Sequence, residues 1–420
     1  MPGTGLERSH RGHRSAQGKG SVARRRFGTG DSSPEIRQRS NRWSGATHCR
    51  RTTPAADRCA NPARRSRAYV GSVTEQPPAG TGLGFGALFT KHVISARYVA
   101  GAWSGFDVRD FEDLRLSPAA MVLHYGQAIF EGLKAFRSTA AEEILIFRTA
   151  DCARRFDRSA IRMAMPPLPA GMFVDAVRTL VATDAADVPS APGSALYLRP
   201  VMVADEPSLA VRPSTEYSFL VLASPSDSFF ASGRTMIDAY AQRSHIRAAF
   251  GGTGDVKCAG NYAGAMAAKA DAQAHDCDEV LWLDAREHRY VEEFGAMNCF
   301  VVRGEDDHAE LITPPLTGSI LPGHTRATVI TLAGRRGLTV REEPIELDQV
   351  LDDSGPVAEV FACGTAAGVA PVHRILTDTG DERVIGAQPG KITARLAADY
   401  VAVTHGELDP EPDWIIRIPG

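Results

Sequence analysis

Residues 251–265, GGTGDVKCAGNYAGA, place a single lysine, Lys257, among small residues. The glycines nearest to it are Gly251, Gly252, Gly254 and Gly260. Glycine is typical of backbone that turns sharply or approaches a ligand closely. A desolvated lysine among uncharged neighbours has a lowered pKa and can form a Schiff base with a carbonyl group. Most lysines are solvated surface residues, so a catalytic lysine and a surface lysine are competing interpretations of this stretch.

The composition is that of an ordinary globular protein. Of the 420 residues, 43% are hydrophobic and 23% are charged, which is typical of a chain with a sizeable core. No run of about eighteen apolar residues occurs, which excludes a transmembrane helix. The seven cysteines are odd in number and form no CxxC pair. They favour a reducing, cytoplasmic setting over a disulfide framework.

The first 70 residues differ in charge from the rest of the chain. They carry sixteen basic and four acidic side chains, a net charge of +12, whereas the remaining residues sum to −15. This segment is also poor in aliphatic side chains, so it cannot bury enough apolar surface to offset its ordering entropy. We therefore predict that residues 1–75 form a disordered leader. A nucleic-acid-binding arm and an organellar transit peptide are competing interpretations of this segment. Because the amino-acid composition changes near Val73, we favour a third interpretation, in which the start codon has been set upstream of the true one.

From about residue 85 onward, strand and helix patterns follow one another without an internal repeat, which excludes a solenoid or a propeller. Strand patterns at 194–203 and 216–224 close the first half, and the serine-rich stretch after them is typical of an exposed connection. We predict an α/β to α+β protein with two domains. The predicted boundaries are 85–225 for a smaller N-terminal domain, 226–234 for the connecting loop and 235–420 for a larger C-terminal domain that carries the lysine.

Two loops of the second half have the character of anion-binding sites. Pro322 and Gly323 precede an apolar-periodic helix that should begin near Thr325. The N-terminus of such a helix offers free N–H groups and a positive dipole end to a phosphate. The loop at 363–367, CGTAA, offers small residues and a hydroxyl group.

The sequence also offers two candidate acidic side chains for the same site. Glu292 and Glu293 precede a tight turn at Gly295, and strand alternation should place them on opposite faces, so that one points inward. Two exposed glutamates at a strand end are the competing interpretation. A cofactor with both a carbonyl and a phosphate group would use Lys257, the acid and both loops, and pyridoxal 5′-phosphate is the commonest such molecule.

Seven motifs, taken in order, resemble those of the branched-chain amino acid aminotransferases of fold type IV, the class IV pyridoxal-phosphate aminotransferases. They are LHYGQAIFEGLKAFR (123–137), LYLRP (196–200), GGTGDVKCAGNYA (251–263), CDEVLWLD (277–284), VEEFGAMN (291–298), LTGSILPGHTR (316–326) and EVFACGTAAGVAPV (359–372). The resemblance covers about residues 85–405. It implies the two-domain fold of fold type IV, the D-amino acid aminotransferase-like fold.

The resemblance implies a role for each matching residue toward the cofactor. Lys257 would bind pyridoxal 5′-phosphate covalently and then move the substrate's α-proton, Glu293 would pair with the pyridine nitrogen, and Tyr262 would hydrogen-bond the phenolic oxygen. The phosphate would be held by the side chains of Arg154, Thr325 and Thr365 and by the backbone amides of His324 and Thr325. Arg155, one position further along the helix at 151–163, is expected to point elsewhere.

The resemblance also implies how the substrate is bound. An apolar side-chain pocket would be walled by Tyr125, Phe130 and Tyr197, with Arg199 supporting the tyrosines, and the backbone amides of Ala296 and Ala366 would receive the substrate carboxylate. No metal is expected. Four positions depart from the family pattern, namely His324, Ala259, Ala296 and Phe294. We expect His324 to be a neutral imidazole on the loop surface. None of the four removes a catalytic group, but Ala259 and Ala296 add methyl groups close to the substrate, so the departures bear on substrate preference rather than on reaction type.

The implied activity is the reversible transfer of the amino group of L-leucine, L-isoleucine or L-valine to 2-oxoglutarate. The resemblance implies a homodimer that acts on small molecules, with no membrane or nucleic-acid partner. Alternatives are a class IV aminotransferase for another aliphatic amino acid in a specialised pathway, a D-amino acid transaminase and an aminodeoxychorismate lyase. The FEGLKAFR and LYLRP motifs argue against the last two. A catalytically silent protein that binds nucleic acid through its basic leader is a further alternative, and the presence of Lys257 and Glu293 argues against it.

Overall fold

The structure is a computed structural model of the chain and describes residues 69–70, 83–227, 229, 234–305 and 308–420. All described residues belong to one compact unit, Arg64–Gly420. The predicted leader, residues 1–75, lies outside the described residues apart from β1 at Tyr69–Val70.

The first half of the described chain is built from short strands and two long helices. Its further strands are β2 (Leu88–Phe89), β3 (His92–Val99), β4 (Ala102–Trp103), β5 (Asp107–Asp110), β6 (Ala128–Phe130), β7 (Leu133–Arg137), β8 (Glu143–Phe147), β9 (Ala195–Ala204) and β10 (Tyr217–Ser226). Its helices are α1 (Met121–Tyr125), α2 (Thr149–Arg162) and α3 (Ala170–Thr183), and a 3₁₀ turn follows at Ala185–Asp187.

The first sheet is antiparallel and is covered on one face by α2 and α3. Within the described residues its main path runs β8-β7-β9-β10-β3-β4, with β5 paired to β3 and β6 to β9. The rings of Phe156 on α2 and Phe173 on α3 lie 5.7 and 6.3 Å from the ring of Phe219 on β10. All three are almost fully buried, so the helices and the sheet share one core.

The second half begins at Ile237. Its strands are β11 (Ile237–Ala241), β12 (Glu279–Leu283), β13 (Tyr290–Phe294), β14 (Met297–Arg303), β15 (Glu310–Thr313), β16 (Thr339–Glu342), β17 (Ile345–Glu346), β18 (Val357–Gly364), β19 (Gly368–Thr377), β20 (Glu382–Val384) and β21 (Ile415–Pro419). Its helices are α4 (Ala259–Ala263), α5 (Met266–Ala274), α6 (His324–Arg335), α7 (Leu347–Leu351) and α8 (Lys391–His405).

Six strands of the second sheet close into a barrel. The pairs run β14-β18-β19-β11-β12-β13, and β13 pairs again with β14. The sheet is mixed, because β11 is parallel to both of its neighbours while the other pairs of the barrel are antiparallel. Barrel strands such as β12 and β14 carry runs of consecutive buried residues. Such runs are typical of strands that are covered on both faces.

A hydrophobic cluster joins the two sheets. It contains Phe136 and Phe147 of the first sheet, Phe300 and Phe361 of the barrel, and Leu396 of α8. The rings of Phe300 and Phe361 are stacked, with centroids 5.0 Å apart. This shared core fixes the two sheets relative to each other, which any site between them requires.

The path of the chain bears on the predicted connection at 226–234. The chain leaves the first sheet at Ser226, the first residue of that range, and enters the second sheet at Ile237. The last strand, β21, returns to pair with β8 of the first sheet. The C-terminal segment therefore does not belong to the second sheet alone, and the domain boundaries themselves stay a prediction.

Most predicted elements of the folded part are present. The helix predicted at 151–163 is α2, and the helix predicted to begin near Thr325 is α6, which begins one residue earlier. The predicted mixture of α/β and α+β character is confirmed as an antiparallel sheet and a mixed barrel with helices outside them. In the part of the chain that the structure describes, no helix is both long and apolar enough to cross a membrane.

The shared core yields a test of the fold. Phe361 is fully buried in the cluster between the sheets, whereas Phe250 is 89% exposed. Phe361→Ala should lower the free energy of unfolding by about 3–5 kcal/mol, because it removes buried apolar surface and leaves a cavity. Phe250→Ala should change it by less than about 0.5 kcal/mol. Denaturant titration of both variants measures the difference, and equal losses would contradict the placement of Phe361.

Candidate active site

Lys257 lies where the first sheet meets the segment that leads into α4. Its carbonyl accepts a hydrogen bond from the N–H of Phe130 at 3.0 Å, and its own N–H donates to the hydroxyl of Ser159 at 3.0 Å. The next residue, Cys258, forms a β-bridge with Ile129. Contacts with β6 and α2 therefore fix the backbone of the lysine, so that only its side chain is free to move.

The side chain of Lys257 lies beside two aromatic rings. Its Nζ donates a hydrogen bond to the hydroxyl of Tyr262 at 2.8 Å and lies 4.9 Å from the ring centroid of Phe130. The two rings are themselves 4.8 Å apart. Because α4 begins directly after the lysine, it turns Tyr262 back toward Nζ. The structure thus brings these three predicted residues together.

The glycines around the lysine differ from one another in what they do. A Cβ atom on Gly254 would lie 2.2 Å from the carbonyl oxygen of Ser319, so only glycine allows the two segments to touch. Gly251 has a φ of 78°, which favours glycine for a conformational reason. A Cβ atom on Gly260 would meet open space. The close approach near the lysine is therefore an approach to the chain's own loop at Ser319.

Both glutamates of β13 are buried. Alternation places them on opposite faces, as predicted, but both faces are covered, so neither is exposed. Glu292 accepts a hydrogen bond from the hydroxyl of Ser319, and Glu293 forms an ion pair with Arg247. Burial raises the pKa of Glu293 to about 7, while the positive charges of Arg247 and Lys257 act in the opposite direction. Glu293 is thus a buried acid held close to the lysine.

Asn298 connects this acid to the loop before α6. Its Nδ2 donates to the carboxylate of Glu293 at 3.3 Å and to the carbonyl of Leu321 at 2.9 Å. Its Oδ1 lies so close to Gly323 that a Cβ atom there would be 2.0 Å away. The distance between the acid and the N-terminus of α6 is therefore fixed by one amide side chain.

The N-terminus of α6 has the character of an anion site. The helix begins at His324 with Gly323 as its N-cap, and the first N–H groups of a helix have no intrahelical partner. Thr325 of α6 and Thr365 of the loop after β18 line one small cavity together with His324. Free N–H groups, two hydroxyl-bearing side chains and the positive end of the helix dipole all favour an anion here.

His324 adds to this site from its first position on the helix. Its Nε2 is buried and has no hydrogen-bond partner among the described residues. Burial lowers its pKa well below the usual value, and the charges of Arg155, Arg148 and Lys257 lower it further. The ring is therefore neutral, as expected, but it is part of α6 and only partly exposed rather than on a loop surface.

The arginine that reaches the N-terminus of α6 is not the one the resemblance suggested. The side chain of Arg154 is 69% exposed and pairs with Asp151. Arg155 is buried, donating from Nε and Nη2 to the two carboxylate oxygens of Glu131, each at 2.7 Å, and from Nη1 to the carbonyl of Pro322 at 3.1 Å. The structure therefore corrects both expectations: Arg154 points to solvent, and Arg155 reaches the loop that precedes α6.

Helix geometry explains the correction. Residues three and four apart on a helix lie on one face, and Arg155 follows the buried Cys152 by three positions and precedes the buried Ser159 by four. Arg154 lies on the row of Asp151 and Arg158, which faces outward. The apolar spacing of α2 contained this signal, but a charged residue inside an apolar row is easily assigned to the wrong face.

Three of the four predicted pocket residues lie together. Arg199 donates from Nη2 to the hydroxyl of Tyr197 at 2.9 Å, and its Cζ lies 4.6 Å from the ring centroid of Phe130. Tyr125 is 42% exposed, and its hydroxyl donates to the carbonyl of Leu209 at 2.5 Å. Arg199 thus supports Tyr197 as expected, whereas the structure does not bring Tyr125 to this group.

The two turns predicted to receive a carboxylate lie side by side. Ala296 is in the turn between β13 and β14, and Ala366 is in the turn between β18 and β19. Since β14 pairs with β18, a Cβ atom on Gly364 would lie only 3.5 Å from the carbonyl oxygen of Ala296. The carbonyl of Ala366 accepts a hydrogen bond from Nζ of Lys134 at 2.7 Å, and burial lowers the pKa of that lysine to about 8.

One group of side chains near the N-terminus of α6 has the spacing of metal ligands. Among the described residues, the ligand atoms of Glu131, Cys152 and His324 all lie within 4.8 Å of one another. Both carboxylate oxygens of Glu131 already accept hydrogen bonds from Arg155, and burial raises the pKa of the Cys152 thiol well above its usual value. These groups do not fit a divalent cation, and the expectation of a metal-free site stays a prediction.

A closed barrel joined to an antiparallel sheet, with a lysine between them, is the fold of the class IV aminotransferases. The branched-chain aminotransferase of Thermoproteus uzoniensis, solved with norvaline, matches with a TM-score of 0.63 and 27% identity over 77% of this chain and 98% of that one. The T.th. branched-chain amino acid aminotransferase, complexed with N-(5′-phosphopyridoxyl)-L-glutamate, matches with a TM-score of 0.62 and 27% identity over 76% and 97%.

The sequence comparisons lead to the same family. The profile of the amino-transferase class IV family matches residues 128–375. A branched-chain-amino-acid aminotransferase of Mycolicibacterium smegmatis is 43% identical over 339 residues, 80% of this chain and 92% of the relative. The chain belongs to the amino-transferase class IV family and is an enzyme that transfers amino groups.

Four charged residues of the site were not predicted. They are Glu131, Lys134, Arg155 and Arg247. Glu131 and Lys134 lie inside the FEGLKAFR motif, and the apolar row of α2 indicates Arg155. Arg247 has no local signal, because its partners come from three separate segments of the chain.

The raised pKa of Glu293 predicts how stability depends on pH. The folded protein holds this proton up to about pH 7, whereas the unfolded chain releases it near 4.5. The free energy of unfolding of the wild type should therefore fall, relative to Glu293→Gln, as the pH rises from about 4.5 to 7. The relative loss should be about 3 kcal/mol at most. Denaturant unfolding of the ligand-free proteins at several pH values measures it, and parallel curves would contradict the burial of this acid.

Proposed function

We propose that this class IV aminotransferase uses pyridoxal 5′-phosphate to transfer the amino group of L-leucine, L-isoleucine or L-valine to 2-oxoglutarate, giving the branched 2-oxo acid and L-glutamate. The observation that carries the proposal is the position of Lys257. Its Nζ is hydrogen-bonded to Tyr262, with the buried acid Glu293 close by and the N-terminus of α6 at the other end of Asn298.

The residues present fit the cofactor. Lys257 would bond to its aldehyde carbon, Tyr262 to its phenolic oxygen and Glu293 to its pyridine nitrogen. We propose that the phosphate is held by Arg155 rather than Arg154, together with His324, Thr325 and Thr365. The partnerless Nε2 of His324 supports this assignment, because a buried polar atom favours a ligand that satisfies it.

When bound, the cofactor supplies an electron-withdrawing ring that stabilises negative charge on the substrate's α-carbon. The chain supplies the proton transfer and the orientation. Nζ of Lys257 would take the proton from the substrate's α-carbon and deliver it to the cofactor. Its backbone is fixed by Phe130 and Ser159, while its side chain is free to move between the two positions. Glu293, once ionised, would keep the ring nitrogen protonated, and the hydroxyl of Tyr262 would orient Nζ through their hydrogen bond.

An aliphatic substrate fits the residues at the pocket. Phe130 and Tyr197 offer ring surfaces, and the adjacent turns at Ala296 and Ala366 offer backbone N–H groups for the substrate carboxylate. The names of the relatives, and the norvaline and phosphopyridoxyl-glutamate in the solved structures, support aliphatic amino acids and glutamate as the two substrates. We further propose a homodimer in the cytoplasm, in which the exposed Tyr125 lies at a surface available to a second subunit.

The function can be tested with a matched pair of lysine variants. Lys257→Ala should lower the rate of leucine transamination by at least about 10³-fold, because it removes the proposed base for the α-proton. Lys269→Ala should leave it within about twofold, since Lys269 pairs with Glu279 on the barrel. Coupled assays of glutamate formation measure both rates, and full activity of Lys257→Ala would overturn the proposal.

A substrate panel tests the specificity. We expect turnover with L-leucine, L-isoleucine and L-valine and 2-oxoglutarate. Turnover confined to D-alanine or to aminodeoxychorismate would replace the proposed activity by one of the alternatives. Turnover confined to another aliphatic L-amino acid would keep the reaction type and change the substrate.

The choice between the two arginines can be tested by cofactor binding. Arg155→Lys keeps the charge but loses the two-bond pairing with Glu131 that holds this side chain beside the loop before α6, so the affinity of the apoprotein for pyridoxal 5′-phosphate should fall by at least about tenfold. Arg154→Ala should change the affinity by less than about twofold, because its side chain is exposed. Fluorescence titration measures both constants, and circular dichroism checks that both variants are folded. A larger loss in Arg154→Ala would restore the original assignment.

A further inference from the structure

Arg247 is a buried arginine that joins the acid of the site to its two loops. Its side chain is only 6% exposed. It lies ten positions before Lys257 in the segment that leads to the glycine-rich loop. A buried guanidinium needs hydrogen-bond acceptors for its N–H groups, because arginine is not deprotonated in proteins and its charge stays in the interior.

The partners of Arg247 come from three segments. Its Nε forms the ion pair with Glu293 on β13. Its Nη1 donates to the carbonyl of Ser319 at 2.7 Å, and Nη1 and Nη2 lie 3.2 and 3.3 Å from the carbonyl of Gly254. Gly254 and Ser319 are the two residues whose close contact requires glycine. One side chain therefore joins the acid, the loop of the lysine and the loop that leads to α6.

The charge of Arg247 acts on an acid that burial would otherwise neutralise. Burial raises the pKa of Glu293, and the neighbouring Glu292 raises it further, whereas Arg247 and Lys257 lower it. Cys363 of β18 also faces the acid but is a neutral thiol, since burial raises its pKa far above neutral. Of the two cations, Arg247 is in direct contact, and Lys257 would lose its own charge when it bonds to a carbonyl. Arg247 is then the remaining positive charge that opposes protonation of Glu293.

On the basis of the proposed function, we infer that Arg247 is a positioning residue that favours the ionised form of Glu293 needed by the pyridinium of the cofactor and holds this acid in register with the loops of Lys257 and Thr325. It acts through Glu293 and does not touch the reacting atoms. Its charge and its hydrogen-bond fork have separable effects. The charge sets the ionisation of Glu293, and the fork to Ser319 and Gly254 sets the distance between the loops.

Two variants separate the charge from the fork. Arg247→Lys keeps a positive charge and loses the fork, while Arg247→Gln loses the charge. Arg383→Gln is a matched control. Arg383 is also buried, donates to two carbonyls, those of Val350 and Val357, and pairs with the exposed Asp353. Its loss removes a comparable structural connection without affecting the acid of the site.

The direct measurement is the titration of Glu293 in the cofactor-free protein. Carbon-13 NMR of protein labelled at the glutamate carboxyl carbon gives the midpoint, and the Glu293 signal is the one missing from Glu293→Gln. In Arg247→Gln the midpoint should rise by at least about one pH unit, and in Arg247→Lys by less than half of that shift. Arg383→Gln should lower the melting temperature without moving the midpoint. A midpoint in Arg247→Gln within about 0.3 pH unit of the wild type would overturn the inference.

The pH profile of the reaction provides the second readout. In Arg247→Gln, kcat at pH 7 should fall by about tenfold with KM little changed, and part of the loss should be recovered at higher pH. An equal loss at every pH would mean that Arg247 is merely structural. Binding of pyridoxal 5′-phosphate by the wild-type apoprotein tests the proposed function separately, because the titration of Glu293 needs no cofactor. If the wild type binds and the midpoint does not move, only the function of Arg247 is wrong.

Discussion

The hydrogen bond from the N–H of Phe130 to the carbonyl of Lys257 is the contact on which the site depends. It joins the first sheet to the segment that enters the second, and the bond from the lysine N–H to Ser159 fixes the same peptide from the side of α2. With its backbone fixed on both sides, the lysine has only its side chain to move. Transferring a proton between two atoms of a bound substrate requires this combination of a rigid base and a mobile end.

Buried charges around this point are arranged in pairs. Arg155 and Glu131 form a two-bond ion pair with almost no exposure, and Arg247 pairs with Glu293. Breaking either pair would leave a buried charge, at a cost of about 3–5 kcal/mol. The pairs therefore hold the chain in one arrangement before any ligand binds. The N-terminus of α6 differs, because its first N–H groups have no intrahelical partner and the buried Nε2 of His324 has no hydrogen-bond partner among the described residues, which favours an anion there.

The same contacts explain why small residues recur beside the site. Gly254 must lack a side chain because Ser319 lies against it, and Gly323 must lack one because Asn298 does. Both contacts bring separate loops of the second half together near Glu293. The glycines of this region thus determine how closely the chain packs against itself, and this packing shapes the space that a flat cofactor would occupy.

The sequence by itself determined the family, the main helices and strands, and the residues whose signal is local: the lysine after its glycines, the helix start to within one residue of Thr325 and the acid beside the turn at Gly295. Local signals suffice there because capping, turn and alternation rules act over a few residues. Only the tertiary structure decided that Arg155 pairs with Glu131 and reaches the loop before α6, that Tyr125 lies apart from Phe130, and that Arg247 reaches Glu293. These choices depend on which faces of separate elements meet, and side chains far apart in the sequence become partners only when the barrel closes and packs against the first sheet.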